Sequence, residues 1–312
     1  MDYQRRIAAL RAGMAERGLA AYLVPADAGM EYLSGVKRVY RNYTHMRQNC
    51  LELAGLVITP SDVVYFIPRL TGMGTLPFLE GTAVTKAVSI QDPDLTGETW
   101  LRELKALGLS GKHIGVNRDI SAQAVLMLQN VLEAKVTEES DLVDSLRAVK
   151  DEEEIGLMRK NAEIADQVYH ELMPMIRPGV TEKEVAAYLT YRLLANGAEN
   201  VSFDPIVVSG ENGAMPHGVP SEKKIQDGEF VTIDFGALKD GYCSDTTRTF
   251  AVGHVTEEME KVYNTVLKAQ TTAIAATRAG MTGKEIDGIA RKIIADAGYG
   301  EYFGHGYGHG VG

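Results

Sequence analysis

Cysteine is scarce in this chain. Its 312 residues hold two, Cys50 and Cys243, too few and too far apart for a disulfide framework or a paired-thiolate metal site. There is no uninterrupted apolar run of about 18 residues, the length a membrane-spanning helix requires. The N-terminus, MDYQRRIAALRAGMAERGL, is charged and helical in period and lacks the apolar core of a signal peptide, so the cytoplasm is the expected compartment. An excess of basic charge is also missing. The net charge of −10 argues against nonspecific binding to nucleic acid or to anionic membranes, and neither is expected as a partner. No glycine-rich phosphate loop follows the first strand signal, which argues against a dinucleotide site.

The first 145 residues carry alternating helix and strand signals. An amphipathic helix over Tyr3–Arg17 (Ile7, Leu10, Met14) leads into a buried-strand run, Leu19–Pro25. Leu51–Thr59 and Val63–Ile67 read as strands across the turn Pro60-Ser61-Asp62. Trp100–Leu107 reads as a helix, His113–Asn117 as a strand and Ala122–Leu132 as a helix. The charge-rich stretch 137–155 marks a boundary, giving domains 1–145 and 146–312. A long helix is expected from near Lys150, with Ile155, Met158, Ala162, Ala165, Val168, Tyr169 and Leu172 at a 3.6 period.

The second half repeats itself. Ile176–Gly197 and Thr277–Gly298 align without gaps at an offset of 101. Arg177/Arg278, Gly179/Gly280, Thr181/Thr282, Lys183/Lys284, Glu184/Glu285 and Gly197/Gly298 match. Thr181 and Thr282 are N-cap candidates. Two copies predict a pseudo-symmetric domain with a site between its halves.

The first copy leads into VTIDFGALKDGYCSDTTRTF, residues 231–250. With Leu238–Gly241 as a four-residue loop, Asp234 falls directly opposite Asp245, on one face of a hairpin. Opposed Cβ atoms stand about 5 Å apart, and two carboxylates in an apolar stretch are costly without compensation. One divalent cation or a pair is the simplest compensation. Cys243 shares the parity of Asp245, and either lines that face or is a small buried residue. The C-terminal GHGYGHGVG sets His305 and His309 among glycines; imidazole is a common metal ligand, although stray histidines in glycine-rich ends are common as well. Oxygen-rich ligation with one or two imidazoles suits manganese or cobalt and admits zinc or iron. His217, in the turn-rich SGENGAMPHGVPSE, has solvation as its plain reading. By the offset of the repeat, a second hairpin would fall past Gly312, so the fold is expected to be cut short in its second half.

FDPIVVSGENGAMPHG, VTIDFGALKDGYCSDTTRTF and HGYGHGVG, in that order, resemble the Xaa-Pro peptidases of the pita-bread metallopeptidase family M24, the prolidases and aminopeptidases P. LRAVKDEEEI resembles their interdomain junction, and AYLVP with EYLSG resembles their creatinase/prolidase-type N-terminal domain. The resemblance implies an α/β N-terminal domain followed by an α+β pseudo-symmetric pita-bread domain. It also implies a site for two divalent metal ions, manganese first, held by two aspartates, one histidine and two glutamates. Asp234, Asp245 and His309 match the first three. The glutamates would lie on the second hairpin; the chain without them is expected to bind metal weakly, and its activity is left open.

His217 and His305 match residues that contact substrate and move protons near the cleaved bond. Arg248 matches a family arginine, with carboxylate pairing as the alternative. The activity implied is metal-assisted hydrolysis of the bond before proline in Xaa-Pro dipeptides or short peptides, by a homodimer. Two alternatives stay open: a pita-bread metallohydrolase or lyase acting on a non-peptide small molecule, and a non-catalytic binding module. The basic, aromatic segment Lys37–Asn49, with Arg41 and Arg47, is a candidate for substrate access or an interface, with a solvated loop as the alternative.

Overall fold

The computed structural model of the protein describes residues 1–38 and 53–311. It divides into two compact units, Met1–Glu153 and Glu154–Gly312. Cys50, Arg41, Arg47 and most of the Lys37–Asn49 segment lie outside the described residues.

The first unit is built on a six-stranded mixed sheet. Its strands are β1 (Ala21–Pro25), β2 (Gly55–Ile58), β3 (Val63–Pro68), β4 (Lys86–Ile90), β5 (His113–Val116) and β6 (Lys135–Glu138), in the order β4-β3-β2-β1-β5-β6. The β2–β3 hairpin closes with Ile58 against Val63, across the turn expected at Pro60-Ser61-Asp62. Strand β1 is central, and its two faces enter different cores. Tyr22 and Val24 pack with Ile7, Leu10 and Met14 of helix α1 (Tyr3–Glu16). Ala21 and Leu23 pack with Trp100 and Leu104 of α4 (Glu98–Ala106) and Leu128 of α5 (Ala122–Val131). Burial on both faces explains why this strand reads as a continuous apolar run instead of an alternating one.

Five elements of this unit carry weak sequence signals: α2 (Ala28–Ser34), α3 (Arg69–Gly72), β4, β6 and α6 (Asp141–Ala148). Helix α6 lies inside the charge-rich stretch taken for a boundary. Its charges face outward and only Leu142 and Val143 are buried, too few to set a period. Strand β6 is an edge strand with no fully buried residue.

The second unit opens with α7 (Glu152–Leu172) and α8 (Glu182–Ala195). They pack on a three-stranded antiparallel sheet of β8 (Ile206–Ser209), β9 (Glu229–Phe235) and β12 (Thr246–Val252), in the order β12-β9-β8. A smaller sheet joins β7 (Asn200–Val201), β10 (Ala237–Lys239) and β11 (Tyr242–Cys243). Strand β9 alternates cleanly: Val231, Ile233 and Phe235 are fully buried against α7 and α8, leaving Thr232 and Asp234 on the opposite face.

The chain ends in a second helix pair, α9 (Glu257–Ala276) and α10 (Gly283–Asp296), with a small core of Ala269, Ala273, Ala290 and Ile294. The sequence repeat is a structural repeat. α8 and α10 each begin with a full capping box, Thr181 with Glu184 and Thr282 with Glu285. Gly179 and Gly280, at φ +93° and +90°, turn the chain into each box, a backbone conformation that favours glycine.

Candidate metal centre

The hairpin carrying the two aspartates is tighter than its sequence suggested. Lys239 pairs with Tyr242, and only Asp240 and Gly241 form the turn. Both have positive φ, 53° and 83°, as a two-residue primed turn requires. The expected four-residue loop is therefore corrected, and the register moves by two. Asp234 stands opposite Thr247, not Asp245. Because strand side chains alternate with period two, a slip of two keeps both aspartates on one face as diagonal neighbours. The ladder breaks at Gly236, where any Cβ would collide with the carbonyl oxygen of Ser244. Around this break Ser244 Oγ accepts a hydrogen bond from the Ala237 amide (2.9 Å), and Ser202 Oγ donates to the Ser244 carbonyl (2.7 Å).

The carboxylates are close and poorly compensated. Burial, and then the charge of Asp234, push the Asp245 carboxyl above its usual range, with His309 acting in the opposite direction. Oδ1 of Asp234 is buried without a hydrogen-bond partner. His309 Nε2 stands 3.4 Å from Asp245 Oδ2. The Nδ1–H of His309 donates to the Gly310 carbonyl (2.9 Å); a carbonyl only accepts, so a neutral ring keeps its lone pair on Nε2. A lone pair facing a carboxylate oxygen needs a proton or a cation to be favourable. An orphaned carboxylate oxygen, a carboxyl pushed up and a basic imidazole nitrogen thus fit a divalent cation in donor chemistry. Among the described residues no group of three such donors is already closed into a metal site, so the contacts are pairwise, Asp245 with Asp234 and with His309.

The loop bearing both histidines is held by two residues the sequence reading passed over. On α10, Arg291 forms a two-pronged ion pair with Asp287 (2.7 and 3.0 Å). Arg291 donates to the carbonyls of Phe303 (2.9 Å) and His305 (2.8 Å), and Asp287 accepts from the Tyr307 amide (2.9 Å). The available signal was the Asp-x3-Arg spacing, which places the pair on one helix face, where the first repeat has Ala186 and Thr190. His305 itself is exposed; its Nδ1–H donates to the Gly306 carbonyl (2.8 Å) and its ring meets Phe303 edge-on.

His217 is exposed in the loop after β8. The next residue, Gly218, lies against Val208, whose partner is Thr232. The loop therefore covers the same sheet face that Asp234 occupies. Thr232 and Thr249 share a hydrogen bond there (3.0 Å). Arg248 is not brought to this face. It pairs with Ile233, whose side chain enters the core, and its guanidinium lies 5.7 Å from the centre of the Tyr169 ring. It also donates to the Thr247 carbonyl (2.9 Å). Cys243 is half-buried.

A β-ribbon with two aspartates, backed by one helix pair and approached by the histidine-bearing loop of a second, brings together residue types that ligate divalent metals. Residues 156–312 match metallopeptidase family M24, and residues 6–149 match the creatinase/prolidase N-terminal domain. The Xaa-Pro dipeptidase of Pyrococcus horikoshii is 43% identical over 302 residues, 96% of this chain and 79% of that protein. An uncharacterized peptidase of Bacillus subtilis, YqhT, is 40% identical over 286 residues, 84% of this chain and 79% of that protein. The crystal structure of the prolidase from Thermococcus sibiricus superposes with a TM-score of 0.89 at 32% identity, covering 100% of this chain and 82% of that one. The chain belongs to metallopeptidase family M24, its first unit being the creatinase/prolidase-type domain and its second the pita-bread domain. Family membership implies divalent metal ions. No helix among the described residues is long and apolar enough to cross a membrane.

Proposed function

We propose that the protein hydrolyses the peptide bond before proline in Xaa-Pro dipeptides or short Xaa-Pro peptides. The observation that carries the reading is the approach of His309, from the C-terminal loop, to an Asp245 that neighbours Asp234 on one β-ribbon, in a chain similar over 96% of its length to an Xaa-Pro dipeptidase. Asp234, Asp245 and His309 Nε2 are the proposed ligands of divalent cations, manganese first. Such cations, when bound, supply Lewis-acid activation of water near neutral pH and polarise the scissile carbonyl.

The chain's own residues supply orientation and proton handling. The Nδ1–H bond from His309 to Gly310 fixes the tautomer that presents Nε2 to the ribbon. His305, with Nδ1–H tied to Gly306, keeps Nε2 free to exchange a proton with substrate. His217 belongs to the loop whose Gly218 lies against Val208, on the Thr232 face, and is the proposed partner of the substrate carbonyl. Arg248, on the other face beside Tyr169, is assigned packing instead of substrate contact. A homodimer is part of the proposal, as the family resemblance implies.

The test is a panel of manganese-loaded reactions on Xaa-Pro dipeptides, longer Xaa-Pro peptides, and matched peptides with alanine in place of proline. Release of the residue before proline, with the alanine peptides left intact, is expected. Absence of cleavage of every Xaa-Pro peptide sinks the reading.

A further inference from the structure

Glu182 is a glutamate with no exposed surface, at the first position of α8. A buried carboxylate is costly unless its oxygens are filled, and these are. Oε1 accepts from the Ser209 amide (2.7 Å), the Ser209 hydroxyl (2.9 Å) and the Asn212 side-chain amide (3.2 Å). Oε2 accepts from the Ser221 hydroxyl (2.6 Å), the Ser221 amide (3.0 Å) and Asn212 again (3.3 Å). Burial alone would raise this carboxyl, and the bonds from Ser221, Ser209 and Asn212 together outweigh it, holding it below its usual range.

The helix does not need this glutamate to start. Thr181 and Glu184 cap α8 as Thr282 and Glu285 cap α10, and at the position of Glu182 the second copy has Gly283. The carboxylate serves the segment on which its donors lie. Ser209 and Asn212 begin the loop that carries His217, and Ser221 ends it. One side chain therefore ties both ends of that loop to the start of a core helix. Between the ties, Gly218 is seated on Val208, on the aspartate-bearing face.

We infer that Glu182 is a positioning residue for His217, its two oxygens clamping the entry and exit of the loop that sets this imidazole over the metal-binding face. The inference rests on the proposed role of His217 as a substrate contact. Glu182→Gln is the sharpest probe, because it replaces one acceptor by a donor and so releases one end of the loop. Ser221→Ala removes the 2.6 Å bond to Glu182 and the 3.1 Å bond that Ser221 Oγ accepts from the Lys223 amide, leaves the Ser221 amide bond to Glu182 in place, and serves where Glu182→Gln fails to fold.

The experiment is a double-mutant cycle on Xaa-Pro hydrolysis with His217→Ala, accompanied by amide exchange of residues 210–220. Glu182→Gln is expected to lower kcat/KM by about 10- to 100-fold, the scale of an ångström-level misplacement. Ser221→Ala is expected to lower it severalfold. In the His217→Ala background each should change kcat/KM by less than about twofold, because residues acting through one group are not additive. Loop amides should exchange faster in both variants while those of α7 stay unchanged. Full additivity in the cycle overturns the inference, since a purely structural role loses the same factor in either background. So does wild-type kinetics of both clamp variants alongside an impaired His217→Ala, an outcome that leaves the role of His217 standing. A kinetically silent His217→Ala overturns the role of His217 itself and the inference with it.

Discussion

At the scale of single residues, the Asp245 carboxyl is raised by burial and then by Asp234. If these two carboxylates are the proposed metal ligands, their mutual repulsion destabilises the metal-free fold and a bound cation relieves it. Asp234→Asn should therefore melt no lower than the wild type without metal. It should also lose the stabilisation that manganese gives the wild type, about 2.7 kcal/mol when metal stands at a hundred times its dissociation constant. Thermal melts with and without manganese check this, and an undiminished metal shift in the variant refutes it. Glu171 behaves in the opposite way. A hydrogen bond from Arg192 first, with bonds from Asn196 and Gln167 after it, outweighs a desolvation cost larger than either of those two bonds and holds its carboxyl at about 2, down from 4.5. A carboxyl depressed on folding contributes stability above its unfolded value, and that contribution fades as pH falls toward the folded value. Glu171→Gln should flatten the stability profile between about pH 4.5 and 2 and leave its slope near pH 7 unchanged. Urea midpoints across that range decide it.

At the scale of elements, the repeat predicts equal consequences at matched positions. In both boxes the threonine hydroxyl accepts from the glutamate amide (3.1 and 3.2 Å), and the threonine amide donates to the carboxylate (2.7 Å in each). Thr181→Ala and Thr282→Ala should each cost about 1 kcal/mol in chemical denaturation, and a cost confined to one of them would break the equivalence. The helices of this repeat were legible in the sequence, because a cap residue and a 3.6 period are local signals. The hairpin was half legible. Its strands and the shared face of the two aspartates follow from alternation, which is insensitive to a slip of two. The true register depends on Asp240 accepting a positive φ, which the sequence permits without requiring. Strand β6 and helix α6 escaped notice because an edge strand and a short helix with two buried residues have too little apolar content to leave a period.

At the scale of the whole molecule, the two units have separate cores. Tyr22, Leu23, Phe66 and Trp100, all fully or nearly fully buried, lie in the clusters of the first unit. Phe235, Val231 and Ile233 lie in that of the second. A unit with its own core can fold by itself, so residues 1–153 expressed alone should show a cooperative thermal transition with native helix content. A featureless melt by circular dichroism would show that the unit depends on the rest of the chain.

Sequence by itself determined the class of both units, the repeat, and the identity of the acidic pair and the terminal histidines. Residue type, period and spacing carry that information, and each is a local property of the chain. Tertiary structure decided which of these groups meet. It brought His309 to Asp245, turned Arg248 to the far face beside Tyr169, and seated the His217 loop on Val208, on the sheet face that carries Asp234. It also gave work to Glu182, Asp287 and Arg291, which in sequence are ordinary helix residues. Contacts of this kind join residues far apart along the chain, so their existence depends on strand register and loop seating, which no local pattern encodes.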